Sequence, residues 1–252
     1  MTTAVRTTAT KRTPMTSLRK TALVAGVLYL LTFVSIPTLF LYAEVKSPNF
    51  IVGPGPDTPV IVGGILEMIV ALAGIGTAVA LYPVVKRQNE GVALGFVGSR
   101  TLEAATIFAG VACLLSVVTL RQTGAGADAL VTGQALVTLY NRTFLIGQSF
   151  IPAVNALLLG SLLYQSRLVP RVLPLLGFIG AVLLVASFIA ILFGLWGQMS
   201  AQAALAALPI ALWEFSLGVY LVVKGFKPSP ILASDARDAG VNRSVTPAAD
   251  AQ

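Results

Sequence analysis

Histidine is absent from the 252 residues, cysteine occurs once, as Cys113, and Asp, Glu, Lys and Arg together make up only 11% of the chain. Without histidine there can be no His-held haem, no His-ligated zinc or copper, no Ser-His dyad and no His-Glu-x-x-His protease. A single cysteine forms no internal disulfide, and its position within an apolar run marks a small buried side chain rather than a reactive thiol. Gly53 to Pro56 reads Gly-Pro-Gly-Pro but is not followed by Gly-Lys-Ser/Thr, so it is not a phosphate cradle. No metal site, cofactor or catalytic residue is expected. The net charge of +7 does not point to nucleic acid, because the basic residues sit mostly beside apolar runs, where membrane orientation accounts for them.

What is present is apolar. Hydrophobic residues make up 56% of the chain and the mean hydropathy is +0.86, whereas a soluble domain is about 25% charged. A spanning helix needs about 20 residues. Runs of that order occur at Thr21 to Ala43, Val60 to Tyr82, Val92 to Leu120, Thr143 to Tyr164, Val172 to Leu195 and Leu208 to Val223. The expected fold class is therefore all-α: a polytopic membrane bundle of six transmembrane helices over residues 21–227, flanked by disordered tails at 1–20 and 228–252. The first run exceeds the apolar core of a signal peptide and should be retained, with Pro37 kinking its outer end. Glu44 to Pro59, rich in Pro and Gly, is expected as an extended outer loop. Ala129 to Tyr140 is too short to cross and lies on the outer interface or re-enters. Trp196 to Ala207 is an uncharged outer loop.

Thirteen of the seventeen Lys and Arg fall on one side if the amino terminus is inside, against Lys46, Arg121 and Arg142 on the other and Arg100 within the membrane. That asymmetry predicts both termini in the cytoplasm. Leu81-Tyr82, Gly95-Phe96 and Gly98 recur 82 residues on as Leu163-Tyr164, Gly177-Phe178 and Gly180, through a parallel duplication or the chance likeness of Gly/Leu-rich helices.

The third run carries Arg100 and Glu103 well inside it, although an ionisable residue near the middle of a spanning helix costs roughly 2.5 to 3.5 kcal/mol on insertion scales. Glu67 and Glu214 are also interior acids. At 1.5 Å per residue they lie about 9 to 11 Å below the outer edge, and Glu103 about 16 Å above the inner one, all in the middle band of a ~30 Å core. Glu67 belongs to a small-residue stripe with Gly63, Ala71, Gly74 and Ala78, and Glu214 to another with Ala211 and Gly218, so both acids should face protein. Asn155, with Gln148 and Pro152 on roughly its side, adds an interior amide. The candidate ligand-binding set is Glu67, Arg100, Glu103, Asn155 and Glu214. Arg100 should pair with Glu67 or Glu214, since Glu103 is close along its own helix, and Glu67, Arg100 and Glu214 should converge. Another acid is then protonated, wet or waiting for a cation. Tyr29, Tyr140 and Tyr220 read as packing or interface residues.

The segments Leu81-Tyr82-Pro83 into Lys86-Arg87-Gln88-Asn89-Glu90-Gly91, then Gly95-Phe96-Val97-Gly98 before Arg100 and Glu103, Asn155 to Gly160 leading to Tyr164 to Arg171, and Glu214 to Phe226 carry a resemblance. Over about Leu18 to Lys227 the chain resembles the bacterial membrane-protein family catalogued as domain of unknown function 4386. The resemblance implies a bacterial cytoplasmic membrane and supports treating the five interior polar residues as one set. It supplies no catalytic residues. Three classes of function compete: a binder or transporter of a small ligand, cation or proton; a structural or regulatory bundle serving a protein partner; and, least favoured, an intramembrane enzyme using Glu as base and Arg as clamp. The lipid bilayer is the one partner the composition demands.

Overall fold

The computed structural model describes residues 16–232. The helices are α1 (Ser17–Leu31), α2 (Thr38–Leu41), α3 (Thr58–Val85), α4 (Glu90–Gln122), α5 (Leu130–Phe144), α6 (Ile151–Ser166), α7 (Val172–Leu192) and α8 (Ala201–Val223), with no strand among the described residues. They form six segments long and apolar enough to cross a membrane, two of them composite: Ser17–Leu41 and Ala127–Ser166. The chain is a multi-pass membrane protein. Its two described ends meet, because Arg19 donates to the carbonyls of Leu221, at 2.8 Å, and Val222, closing the last turn of α8. We call this end proximal and the opposite end distal.

Helix α1 begins earlier than expected, at Ser17, because the Thr16 hydroxyl accepts the Arg19 N–H at 3.3 Å. The chain after α8 is also ordered further than expected: the Lys227 N–H donates to Leu168 O at 2.8 Å, and the buried Ser229 hydroxyl donates to Ser166 O. The remainder of the two expected tails, 1–15 and 233–252, lies outside the described residues.

The first span is broken, not merely kinked. After Leu31 the chain tightens into a 3₁₀ turn, Thr32–Ser35, before α2. Pro37 has no N–H to continue the ladder, and the hydroxyls of Thr32 and Thr38 bond back to Tyr29 O and Ser35 O, at 2.6 and 2.7 Å. Ala129 to Tyr140 is not a separate interfacial element. It runs as α5 through a π-helical stretch, Leu145–Phe150, directly into α6. Trp196 to Ala207 is only partly loop, because Ser200 accepts the Ala203 N–H at 3.2 Å and starts α8 in an Ala-rich run of high helix propensity.

Helix α4 has 33 residues and the Ala127–Ser166 segment 40, so at 1.5 Å per residue they reach roughly 50 and 60 Å, well past a ~30 Å hydrocarbon core. Their surplus is at the distal end, where it builds a second core. The Glu44 to Pro59 segment is not extended there: it folds into successive turns that bury Val45, Phe50 and Ile51 beside Val117 and Val137. Arg121 fastens it by donating to Gly53 O and Gly55 O, pairing with Asp57 at 3.3 Å and stacking over the Phe50 ring at 4.7 Å. The proximal core is separate and tight, with Leu81, Phe96, Leu159 and Trp213 fully buried.

Close backbone approach sets the seams around α8. A Cβ on Gly26 would lie 2.7 Å from Gly218 O, and one on Gly180 would lie 2.7 Å from the Ile210 nitrogen. The proposed internal repeat does not carry this role across, since a Cβ on Gly98 meets nothing within 4 Å. Gly180→Ala should therefore lower stability by about 1–3 kcal/mol, while Gly98→Ala should be neutral or gain ~0.5–1 kcal/mol. Thermal unfolding of the two variants in the same detergent checks this; equal shifts would contradict the packing.

Candidate functional site

Arg100 projects from α4 toward α3 and its stem passes beside Gly74, where an added Cβ would sit in ordinary contact, 3.9 Å from Arg100 Cδ. Its guanidinium donates through Nη1 to Glu103 Oε2 at 2.9 Å and through Nη2 to Glu214 Oε1 at 2.5 Å. Nη2 also reaches the Tyr29 hydroxyl oxygen at 3.4 Å, and Cζ lies 5.4 Å from the Tyr29 ring centroid. Asn155 Nδ2 donates to Glu103 Oε2 at 2.7 Å. The cluster thus joins α1, α4, α6 and α8. Charge-assisted bonds of this kind are what make a guanidinium tolerable away from water.

Exposure within the cluster is uneven. The Arg100 side chain is 3% exposed, those of Glu103 and Glu214 12% and 16%. Glu103 and Glu214, the more exposed of the three, line a cavity of about 320 Å³ together with Arg100. Its other walls are Phe33, Ile36 and Leu39 of the broken first span, Ala207, Ile210 and Ala211 of α8, and Phe144, Gln148 and Pro152. The cavity exists because α1 stops at Leu31: α8 seals against α1 at Gly26 and Gly218, but its distal half has no continuous helix opposite. With both acids ionised, two negative charges face one positive charge, leaving the floor with a net charge of −1.

A second polar cluster lies distal to the first. Glu67 is 1% exposed, and its Oε1 accepts the Tyr140 hydroxyl at 3.0 Å. Tyr42 and Gln148 stand close to the same carboxylate, yet Glu67 Oε2 and Tyr42 Oη complete no hydrogen bond. Tyr42 meets Tyr140 edge to face, ring centroids 5.5 Å apart, and Lys46 Nζ lies 5.1 Å from the Tyr140 centroid. Burial and the nearby Glu67 push the Tyr42 phenol above its ordinary range; burial lowers the Lys46 ammonium, with Glu67 opposing. A cavity of about 200 Å³ borders this cluster, with Lys46, Asn141 and Gln198 in its lining, and it shares Thr38, Leu39 and Phe144 with the first.

A model of the family described as "Domain of unknown function (DUF4386)" matches residues 24–225. The chain belongs to this family. No curated protein and no solved structure matches it. The family match takes in every residue of both clusters of this DUF4386 protein, but its description assigns no activity, so the chemistry must be argued from the geometry.

Of the five residues read from sequence in this DUF4386 protein, Arg100, Glu103, Asn155 and Glu214 come together and Glu67 does not. The physical reason lies on α3: Gly74 is level with Arg100, and Glu67 is seven residues further along, about 10 Å at 1.5 Å per residue. Its neighbours at that height are tyrosines. Arg100 also pairs with Glu103 as well as Glu214, because residues three apart share a helix face and the Arg stem is long enough to turn back. Tyr29 and Tyr140, read as packing residues, direct their hydroxyls into the two clusters; Tyr220 packs against the proximal core as expected. Neither the outer end of a continuous first span, where Tyr42 is expected, nor an extended loop, where Lys46 is, would bring these residues back over α3, as the broken span and the turns do. Replacing Asn155 by Leu should destabilise the protein by ~1–3 kcal/mol by taking a donor from buried Glu103. Equilibrium unfolding in micelles measures this; no change would remove Asn155 from the network.

Proposed function

We propose that this DUF4386 protein binds a small organic cation in the cavity above Arg100, with Glu103 and Glu214 facing the positive charge. The observation that carries the reading is the excess of carboxylate over guanidinium in the cavity lining, with the guanidinium the least exposed of the three. A net negative, partly desolvated site favours a cation, and ionisable residues at membrane depth mark ligand or ion pathways. The volume of about 320 Å³ stands at the lower end of the ~300–1,000 Å³ of small-molecule sites and exceeds what a bare ion needs. Phe33 and Phe144 in the walls suit a cation with apolar substituents.

The same proposal places the protein in a bacterial plasma membrane with both termini in the cytoplasm. In support, the proximal end carries Arg19, Lys20, Lys86, Arg87, Arg167, Arg171, Lys224 and Lys227, against Lys46, Arg121 and Arg142 distally.

Titration calorimetry of the protein in lipid nanodiscs tests the site, with tetraethylammonium as the probe and benzoate as the anionic control. Saturable binding of tetraethylammonium alone is expected. Glu214→Gln brings the floor to neutrality and should weaken it about tenfold or more, some 1.4 kcal/mol. Equal affinity in the variant, or equal binding of benzoate, would refute the proposal.

A further inference from the structure

Glu67 has no part in the cation site just described, yet it is the most deeply buried acid in the bundle. No Lys or Arg nitrogen among the described residues lies within 4 Å of it; Lys46, four residues after Tyr42, sits over the Tyr140 ring and acts on Glu67 only from beyond that distance. A carboxylate held away from water without a cation in contact with it is neutralised most simply by a proton. Two buried atoms beside it, Glu67 Oε2 and Tyr42 Oη, are unpartnered, and Tyr42 lines the distal cavity.

Gln148 connects this acid to the cation cavity. It lies within the π-helical stretch Leu145–Phe150, two turns beyond the Tyr140 that donates to Glu67, and lines the same cavity as Arg100, Glu103, Glu214 and Ala71, the last one turn along α3 from Glu67. π-helical insertions recur at functional sites, and this one is held close to α4, since a Cβ on Gly147 would overlap Thr106 Oγ1. An amide has a donor end and an acceptor end. Toward an ionised Glu67 it must present N–H, leaving its carbonyl oxygen for the cavity; toward a protonated Glu67 it must present the carbonyl, leaving N–H for the cavity.

We infer that Glu67 is a proton-binding site antagonistically linked to the cation site through the side chain of Gln148. With Glu67 ionised, the cavity gains a carbonyl oxygen that favours a cation; with Glu67 protonated, it gains an N–H that opposes one. Cation binding therefore expels the Glu67 proton to water in the distal cavity, and protonation expels the cation, as reciprocity of coupling requires. The titratable and charged groups around Glu67 are Tyr42 and Lys46 from the chain after α2 and Tyr140 from α5; Arg100 and Glu103 of α4 belong to the neighbouring cavity. The linkage rests on the cation site proposed above, whereas the proton site does not.

Infrared difference spectroscopy of the nanodisc-held protein separates the two. A protonated-carboxyl C=O band that titrates with pH should be present in the wild type, be lost in Glu67→Gln and persist in Glu214→Gln. At the band's midpoint pH, saturating tetraethylammonium should reduce it by more than about half, as a coupling of roughly fivefold or more requires. In Gln148→Leu the band should remain but no longer respond to the probe; Gln148→Asn, whose amide is one methylene too short to reach, serves the same purpose if the Leu variant does not fold. A band unchanged by Glu67→Gln overturns the proton site. A Glu67 band that ignores bound probe overturns the linkage, while failure of the probe to bind at all overturns the cation site and leaves the Glu67 comparison to decide the proton site.

Discussion

Everything in this bundle is arranged around one constraint: a guanidinium placed inside a membrane-spanning helix needs anionic partners from other helices. Arg100 obtains Glu103 from its own helix and Glu214 from α8, with Asn155 of α6 fixing Glu103 and Tyr29 of α1 closing the fourth side. The close seam of Gly26 against Gly218 between α1 and α8 brings Tyr29 and Glu214 together, and the Arg stem passes beside Gly74. Four helices are thereby tied at one depth. An arrangement of this kind specifies register as much as it stabilises, because any slip of α8 by one residue would turn Glu214 away from Arg100.

The two ends of the molecule then differ for a reason that can be followed back to the chain. Proximally, helices run unbroken and side chains such as Phe96 and Trp213 interlock. Distally, the first span is interrupted at Thr32–Ser35 and Pro37, and the fourth carries a π-helical stretch. Irregular backbone at membrane depth is tolerated where protein or a cavity covers it, and here both irregularities border the cavity above the charge cluster. The polar site, the breaks in helix geometry and the free volume coincide in the distal half. The long distal extensions of α4 and α5, capped by the Arg121-fastened turns, cover this half with a second core.

How much of this is legible in the sequence follows from what each feature depends on. Span number and approximate limits depend on composition over some 20 residues, which the chain states clearly. That Arg100, Glu103, Asn155 and Glu214 share an interior follows from helical spacing and small-residue stripes. Glu67 goes wrong because depth alone, measured from uncertain span ends, cannot resolve an offset of seven residues along α3. The continuity of α5 with α6 is hidden because a polar, amphipathic stretch reads the same whether it lies along an interface or prolongs a rod beyond the lipid. The turns at Glu44 to Asp57 are hidden for another reason: their compactness comes from Arg121, more than sixty residues away.

The central claim is that Arg100 and Glu214 hold each other across the bundle, and a double-mutant cycle with Arg100→Met and Glu214→Leu measures this most directly. Unfolding free energies in a bilayer-mimetic medium would be compared for the two singles and the double. Arg100→Met should cost about 3–5 kcal/mol by stranding buried carboxylates, Glu214→Leu less because Glu103 still pairs with Arg100, and the double clearly less than their sum, with a coupling near 2 kcal/mol or more. Effects that add to within about 0.5 kcal/mol would show that the two side chains do not interact, and would contradict the account.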